Sequence, residues 1–203
     1  MSINMIVYIK DFKNITKEDC EKYLTQFGIK AQVHPETDFE TKTGFLPFKV
    51  EFPLCDQIKG KAFMSGFEMY PEVYNYQQEL REKNKSQEPL PPKAQGINGL
   101  FKKRSILSDG IKEDIQEFIV NPNVDNVLKE CGYSILLRFW SMDECILALG
   151  VTSYLAETGR GVVCDPQSGD YFYKDINQEF SKEIKQAFDL LEPDALHPFE
   201  GWV

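Results

Sequence analysis

Histidine is almost missing from this chain. Its 203 residues contain two, His34 and His197, each followed by proline. Neither has a serine or cysteine nucleophile near it in sequence, and no Gly-x-Ser-x-Gly elbow occurs. The chain therefore carries no local signature of nucleophilic hydrolysis. The five cysteines, Cys20, Cys55, Cys131, Cys145 and Cys164, are odd in number and never spaced Cys-x-x-Cys. That spacing supplies neither a disulfide framework nor a zinc site. Cys20, Cys145 and Cys164 sit among apolar neighbours and read as small buried hydrophobes. A phosphate-cradling loop is absent too, because Gly159-Arg-Gly161 lacks a third glycine and a following helix. No apolar run approaches the roughly 18 residues that cross a bilayer. The first residues, Met1 to Ile9, lack a basic leader and a small-residue cleavage site, and read as a first strand. These absences predict no metal, no cofactor, no membrane partner and a cytoplasmic location.

Basic residues are scarce in the second half. Residues 1–104 hold 16 Lys and Arg against 14 Asp and Glu, a net of +2, whereas residues 105–203 hold 7 against 18, a net of −11. Nucleic-acid phosphates need clustered Lys and Arg, so this distribution argues against such a partner. It suits an acidic surface that keeps the chain soluble, and it equally permits long-range steering of a basic partner.

What is present is ample core material: 42% of residues are apolar and 15 are phenylalanine. This is enough for a single domain over 1–203. A strand is predicted at Met5–Lys10, with Ile6, Tyr8 and Val7 candidates to face the core. Thr16, with Asp19 three residues on, caps a helix over 17–27 that Gly28 ends. Strands follow at 29–34 and 44–52, where Phe48, Val50 and Phe52 alternate with Lys49 and Glu51. A short strand is predicted from Gly66 to Tyr70, closed by Pro71. A polar helix near 74–85 leads into a long proline-rich surface loop at about 83–100. Two short helices are expected near 109–120 and 124–130. The clearest unit is strand 133–140, a capping box of Ser141 and Glu144, a helix stopped by a left-handed Gly159, and strand 162–164. Asp165 to Asp170 is turn-rich, and the last helix covers 177–191 with Phe180, Ile184, Phe188 and Leu191 on one face. Early strands with later helices predict an α+β fold, an antiparallel or mixed sheet with helices packed mainly on one face.

Three sets of residues are candidates for chemistry or recognition. Asp165, Asp170 and Asp175 recur every five residues around a turn; they can hold a hard cation, although the spacing matches no calcium loop and turn formation explains them. Glu68 and Arg138 are isolated charges in apolar strands, each either a buried anchor or one solvated position of an alternating strand. Phe63, Phe67, Tyr70, Tyr74 and Tyr76 crowd just before the proline-rich loop. Most belong to the core, and any that reach an open sheet face form a recognition surface.

Gly44-Phe-Leu-Pro47 with Gly66-Phe-Glu68, and Arg138-Phe-Trp140 with Thr158-Gly-Arg-Gly-Val-Val-Cys-Asp-Pro-Gln167, resemble motifs of small uncharacterised acidic bacterial α/β proteins, some of which are regarded as immunity proteins for polymorphic toxins. The resemblance covers about half the chain and transfers no catalytic residue. It implies a non-enzymatic protein that binds a basic toxin domain and occludes its active site. Glu68, Tyr70, Tyr74, Asp165, Asp170 and Asp175 are the expected partner-binding residues. The alternative is an enzyme or small-ligand binder with a pocket beside the 133–165 unit. A purely structural subunit is the third.

Overall fold

The computed structural model describes residues 2–86 and 117–202. In chain order these residues form β1 (Ile3–Ile9), α1 (Lys17–Leu24), β2 (Lys30–Val33), β3 (Gly44–Glu51), β4 (Phe63–Val73) and α2 (Tyr76–Ser86). Then come α3 (Pro122–Leu128), β5 (Tyr133–Phe139), α4 (Met142–Thr158), β6 (Val162–Asp165), β7 (Asp170–Phe172), α5 (Ile176–Asp189) and β8 (His197–Pro198). The strands make one antiparallel sheet in the order β2-β3-β4-β5-β1-β6-β7, with β8 paired to the start of β4. The fold is α+β.

Alternation along the central strands turns Leu46, Phe48, Val50, Phe67, Met69, Ile135, Leu137, Val7 and Ile9 to one face, where all are buried. Helix α4 packs on β1, β4, β5 and β6, and α1 and α5 pack on α4. Enclosed on every side, α4 is buried without a break from Ile146 to Ala156. This explains why its sequence is apolar all round rather than striped. Buried polar groups join the three helices: Asn177 Nδ2 donates to the Tyr23 hydroxyl at 3.1 Å, and that hydroxyl lies 2.8 Å from Ser153 Oγ.

The caps form largely as expected. Thr16 Oγ1 accepts the Asp19 amide at 3.1 Å, and Gly28 turns the chain at φ 74°. In the capping box of α4, Glu144 Oε2 accepts the amides of Trp140 at 2.7 Å and Ser141 at 3.3 Å. The serine hydroxyl makes its own short bond to Asp143, at 2.6 Å. The stop of α4 is different. Gly159 has φ −80°, and the left-handed residue is Arg160 at φ 52°. The glycines serve close packing instead. A Cβ on Gly159 would fall 2.7 Å from Ile9 Cβ, and one on Gly161 would fall 1.9 Å from the Tyr8 carbonyl oxygen.

A smaller layer covers part of the second face. Ile6 and Tyr8 do not join the main core. They point outward into a second cluster with Cys164 and Val162, closed by Tyr76 and Leu80 of α2 and by Val124 and Leu128 of α3. The strand is thus buried on both faces. Asp125, fully buried, fastens this layer. It accepts hydrogen bonds from the Tyr76 hydroxyl and the Ile119 amide, both 2.6 Å, and from the amides of Val120 at 2.9 Å and Asn121 at 3.1 Å. Burial alone pushes its pKa up, but those four donors outweigh burial and hold the carboxyl below the usual aspartate value.

Other boundaries shift for identifiable reasons. β4 does not end at Pro71. Its pairing with β3 stops at Met69, while pairing with β5 continues through Pro71 to Val73. Pro71 therefore has a strand on one side only, where a missing N–H is tolerated. Residues 83–86, expected in the surface loop, belong to α2. The rest of that loop, 87–100, lies outside the described residues. So does most of the helix expected at 109–120, and its end, 117–120, is not helical.

Candidate functional site

Among the described residues, no helix covers the outer face of β3 or the adjoining halves of β4 and β5 around Glu68 and Arg138. The register sets Phe45 opposite Glu68, Glu68 opposite Arg138, and Arg138 opposite Asn4, one row across four strands. Along it Arg138 Nη1 meets Glu68 Oε2 at 3.4 Å, and Arg138 Nε donates to Asn4 Oδ1 at 3.4 Å. The guanidinium also lies 6.0 Å from the centre of the Tyr70 ring. Glu68 beside the Tyr70 hydroxyl raises that residue's pKa above the ordinary tyrosine value. Glu68 and Arg138 side chains are 29% and 38% exposed, so the pair contributes well under about 1 kcal/mol to stability. Its consequence is positional: it fixes a guanidinium, a carboxylate and a phenol side by side on a surface that no described helix covers.

One side of this row is an aromatic platform. Phe45 is 48% exposed. Its ring lies across Gly66, where a Cβ would come within 2.6 Å of Phe45 Cζ and 2.4 Å of the Leu46 carbonyl oxygen. Only glycine lets the ring lie flat there. The C-terminal segment returns over the same face. The Phe199 amide donates to the Ala62 carbonyl at 3.0 Å, and Trp202 sits edge-on to His34 and Phe199 at 4.9 and 5.0 Å. Phe45, Pro47, Met64, His34, Lys42 and Trp202 line a hollow of about 380 Å³. Trp140, just past the end of β5, is 49% exposed.

On the other side a cleft of about 370 Å³ opens between α2 and the sheet. Tyr8, Tyr70 and Tyr74 line it with Glu72, Glu79 and Glu82, and among the described residues no lysine or arginine does. Tyr8 and Tyr74 meet edge to face at 4.8 Å. The Tyr74 hydroxyl is buried, with the Glu79 carboxylate beside it. Burial first, then hydrogen bonding to Glu79 and its negative charge, drives the pKa of Tyr74 far above its ordinary value, and burial with the Glu79 charge moves Tyr8 in the same direction.

The six expected partner residues divide into two groups. Glu68, Tyr70 and Tyr74 meet on the open face and its cleft. Asp165, Asp170 and Asp175 lie at the β6–β7 end of the sheet. Asp165 holds the turn, accepting the Gln167 amide at 2.8 Å and the Ser168 hydroxyl at 3.1 Å. It follows Val163 of the main core by two positions, which puts it on the helix side of the sheet rather than the open face. Asp170 pairs with Asp165 across the hairpin. Asp175, at φ 51°, starts α5 through its carbonyl. No group of three His, Cys, Asp or Glu among the described residues can hold a metal ion. Of the aromatic group, Phe63 and Phe67 are in the main core and Tyr76 is in the second cluster.

The sequence reading passed over Phe45, Trp202 and Glu79. The available signal was Gly66, a lone glycine inside a strand pattern, which marks close approach of another group. No protein-family model matches the chain, and comparison with curated proteins and with solved structures finds no match.

Proposed function

We propose that this chain works without catalysis, as a protein-binding protein: the immunity partner of a bacterial toxin, covering a basic active-site cleft. The observation that supports it is the open face of β3, β4 and β5. This face exposes Phe45 and Trp140 and bears Tyr70 and an Arg138–Glu68 pair, the residue types that anchor interfaces. The acidic cleft beside it gives the face a charge complementary to a basic surface. Interface aromatics would set the dissociation rate, and the carboxylates the association rate.

Stopped-flow association with the purified product of the adjacent gene tests this. The rate should fall steeply as salt rises. Phe45→Ala and Trp140→Ala should speed dissociation, and charge reversal at Glu72 and Glu82 should slow association. Reversal at Asp165, Asp170 and Asp175 tests the acidic hairpin as the steering element in the same assay. A salt-independent rate, or no binding, would remove the proposal. A second reading, small-ligand binding, has one observation in its favour: the cleft is floored by Ser134 and Leu136, inside the 133–165 unit.

A further inference from the structure

Resting on that protein-binding reading and deepening it, we infer that the cleft under α2 receives a single arginine side chain of the partner. Three carboxylates, Glu72, Glu79 and Glu82, line it, and no ion pair between described residues engages any of them. A concave site with that charge favours a cation. Its walls narrow the choice. Tyr8, only 6% exposed, and the half-buried Tyr70 and Tyr74 present aromatic surface. A guanidinium, planar and weakly hydrated, stacks on such rings better than a compact ammonium does. The Tyr74 hydroxyl is buried beside the Glu79 carboxylate, and its oxygen keeps lone pairs that can accept a guanidinium N–H. At about 370 Å³ the cleft has the volume of about twelve waters, room for a guanidinium and its stem.

The chain already shows this chemistry at the cleft's edge. Arg138 lies over one side of Tyr70 and pairs with Glu68. Tyr70 touches that row through Arg138 and also lines the cleft, so a partner seated on the Phe45 platform extends over the cleft mouth. The negative field is felt by the surrounding groups: Glu79 contributes to raising the pKa values of Tyr8, Tyr74, Tyr76 and Tyr171. A bound guanidinium neutralises it.

The test is an NMR titration of the full chain with N-acetyl-arginine methylamide, alongside the lysine compound and the neutral citrulline isostere. The arginine compound should give saturable shifts at Tyr70, Tyr74 and Glu79, with citrulline giving none and lysine binding more weakly. Glu79→Gln, nearly isosteric, should weaken arginine binding about tenfold, and Tyr74→Phe should weaken it less. Citrulline or lysine matching arginine, or an unchanged constant in Glu79→Gln with a native spectrum, overturns the inference. If the adjacent gene's product binds Glu79→Gln as tightly as wild type, the cleft assignment falls and the protein-binding reading stands. If the arginine compound binds but that product does not, the protein-binding reading falls, and with it the partner as the source of the arginine.

Discussion

Replacing Asp125 by asparagine changes one atom and should unlatch a whole layer. The carboxylate is fully buried and accepts four hydrogen bonds, two on each oxygen. An amide keeps one acceptor oxygen. Its best orientation leaves that oxygen on the buried Tyr76 hydroxyl and Ile119 amide. The NH₂ then faces the amides of Val120 and Asn121, donor against donor. Hydrogen bonds to a charged group contribute about 1.5–3 kcal/mol each. Asn121 is exposed, so water can rescue part of the loss. The lower end applies, and two lost bonds give about 3 kcal/mol, a large share of a typical domain's stability. Urea melts should show that loss. Amide exchange should rise at 119–128 and in α2 while α4 keeps its protection, because α2 and α3 close a separate cluster. The folded pKa of Asp125 is depressed, so its contribution is present above the ordinary aspartate value of about 3.9 and is lost as pH falls through the lower folded value. The gap between wild type and Asp125→Asn should therefore narrow only below about pH 4. A loss under about 1 kcal/mol with 119–121 still protected would refute the anchoring role.

Leu149→Ala, on the wholly buried stretch of α4, should cost about 2–5 kcal/mol in denaturant melts, and a cost under about 0.5 would mean its surroundings collapse without a cavity. Gly161→Ala places a methyl 1.9 Å from the Tyr8 carbonyl oxygen and should prevent native pairing of β1 with β6, visible as lost dispersion in an NMR spectrum; a native spectrum would contradict that backbone contact. In the native protein a thiol reagent should label the part-exposed Cys55 first, since Cys20 and Cys164 are buried and burial pushes the Cys131 thiol up to about 12 and Cys145 up to about 11. Rapid labelling of Cys20 before unfolding would overturn the α1–α4 packing.

Local chemistry made much of the fold legible. Thr16 with Asp19, Ser141 with Glu144, and Gly28 after a periodic apolar face each act within one or two turns of chain, so the sequence by itself determined where α1 and α4 begin and where the 3-10 turn Thr25–Phe27 that follows α1 ends. Alternation did the same for β3, and the mixture of early strands and later helices carried the α+β class. The candidate site was only half legible. Glu68, Tyr70 and Tyr74 stood out as types, but Asp165, Asp170 and Asp175 stood out equally and lie at the far end of the sheet. Which residues share a face depends on strand order. β1 enters between β5 and β6, carrying Ile6 and Tyr8 to a second cluster and Asn4 beside Arg138, and no local pattern encodes that insertion. The continuation of β4 through Pro71 depended on where β3 ends, and the flat placement of Phe45 on Gly66 depended on two strands meeting in register. Side-chain type and cap are written into neighbouring residues; the joining of an open face to an acidic cleft came from pairings between segments far apart in the chain, which only the tertiary structure decided.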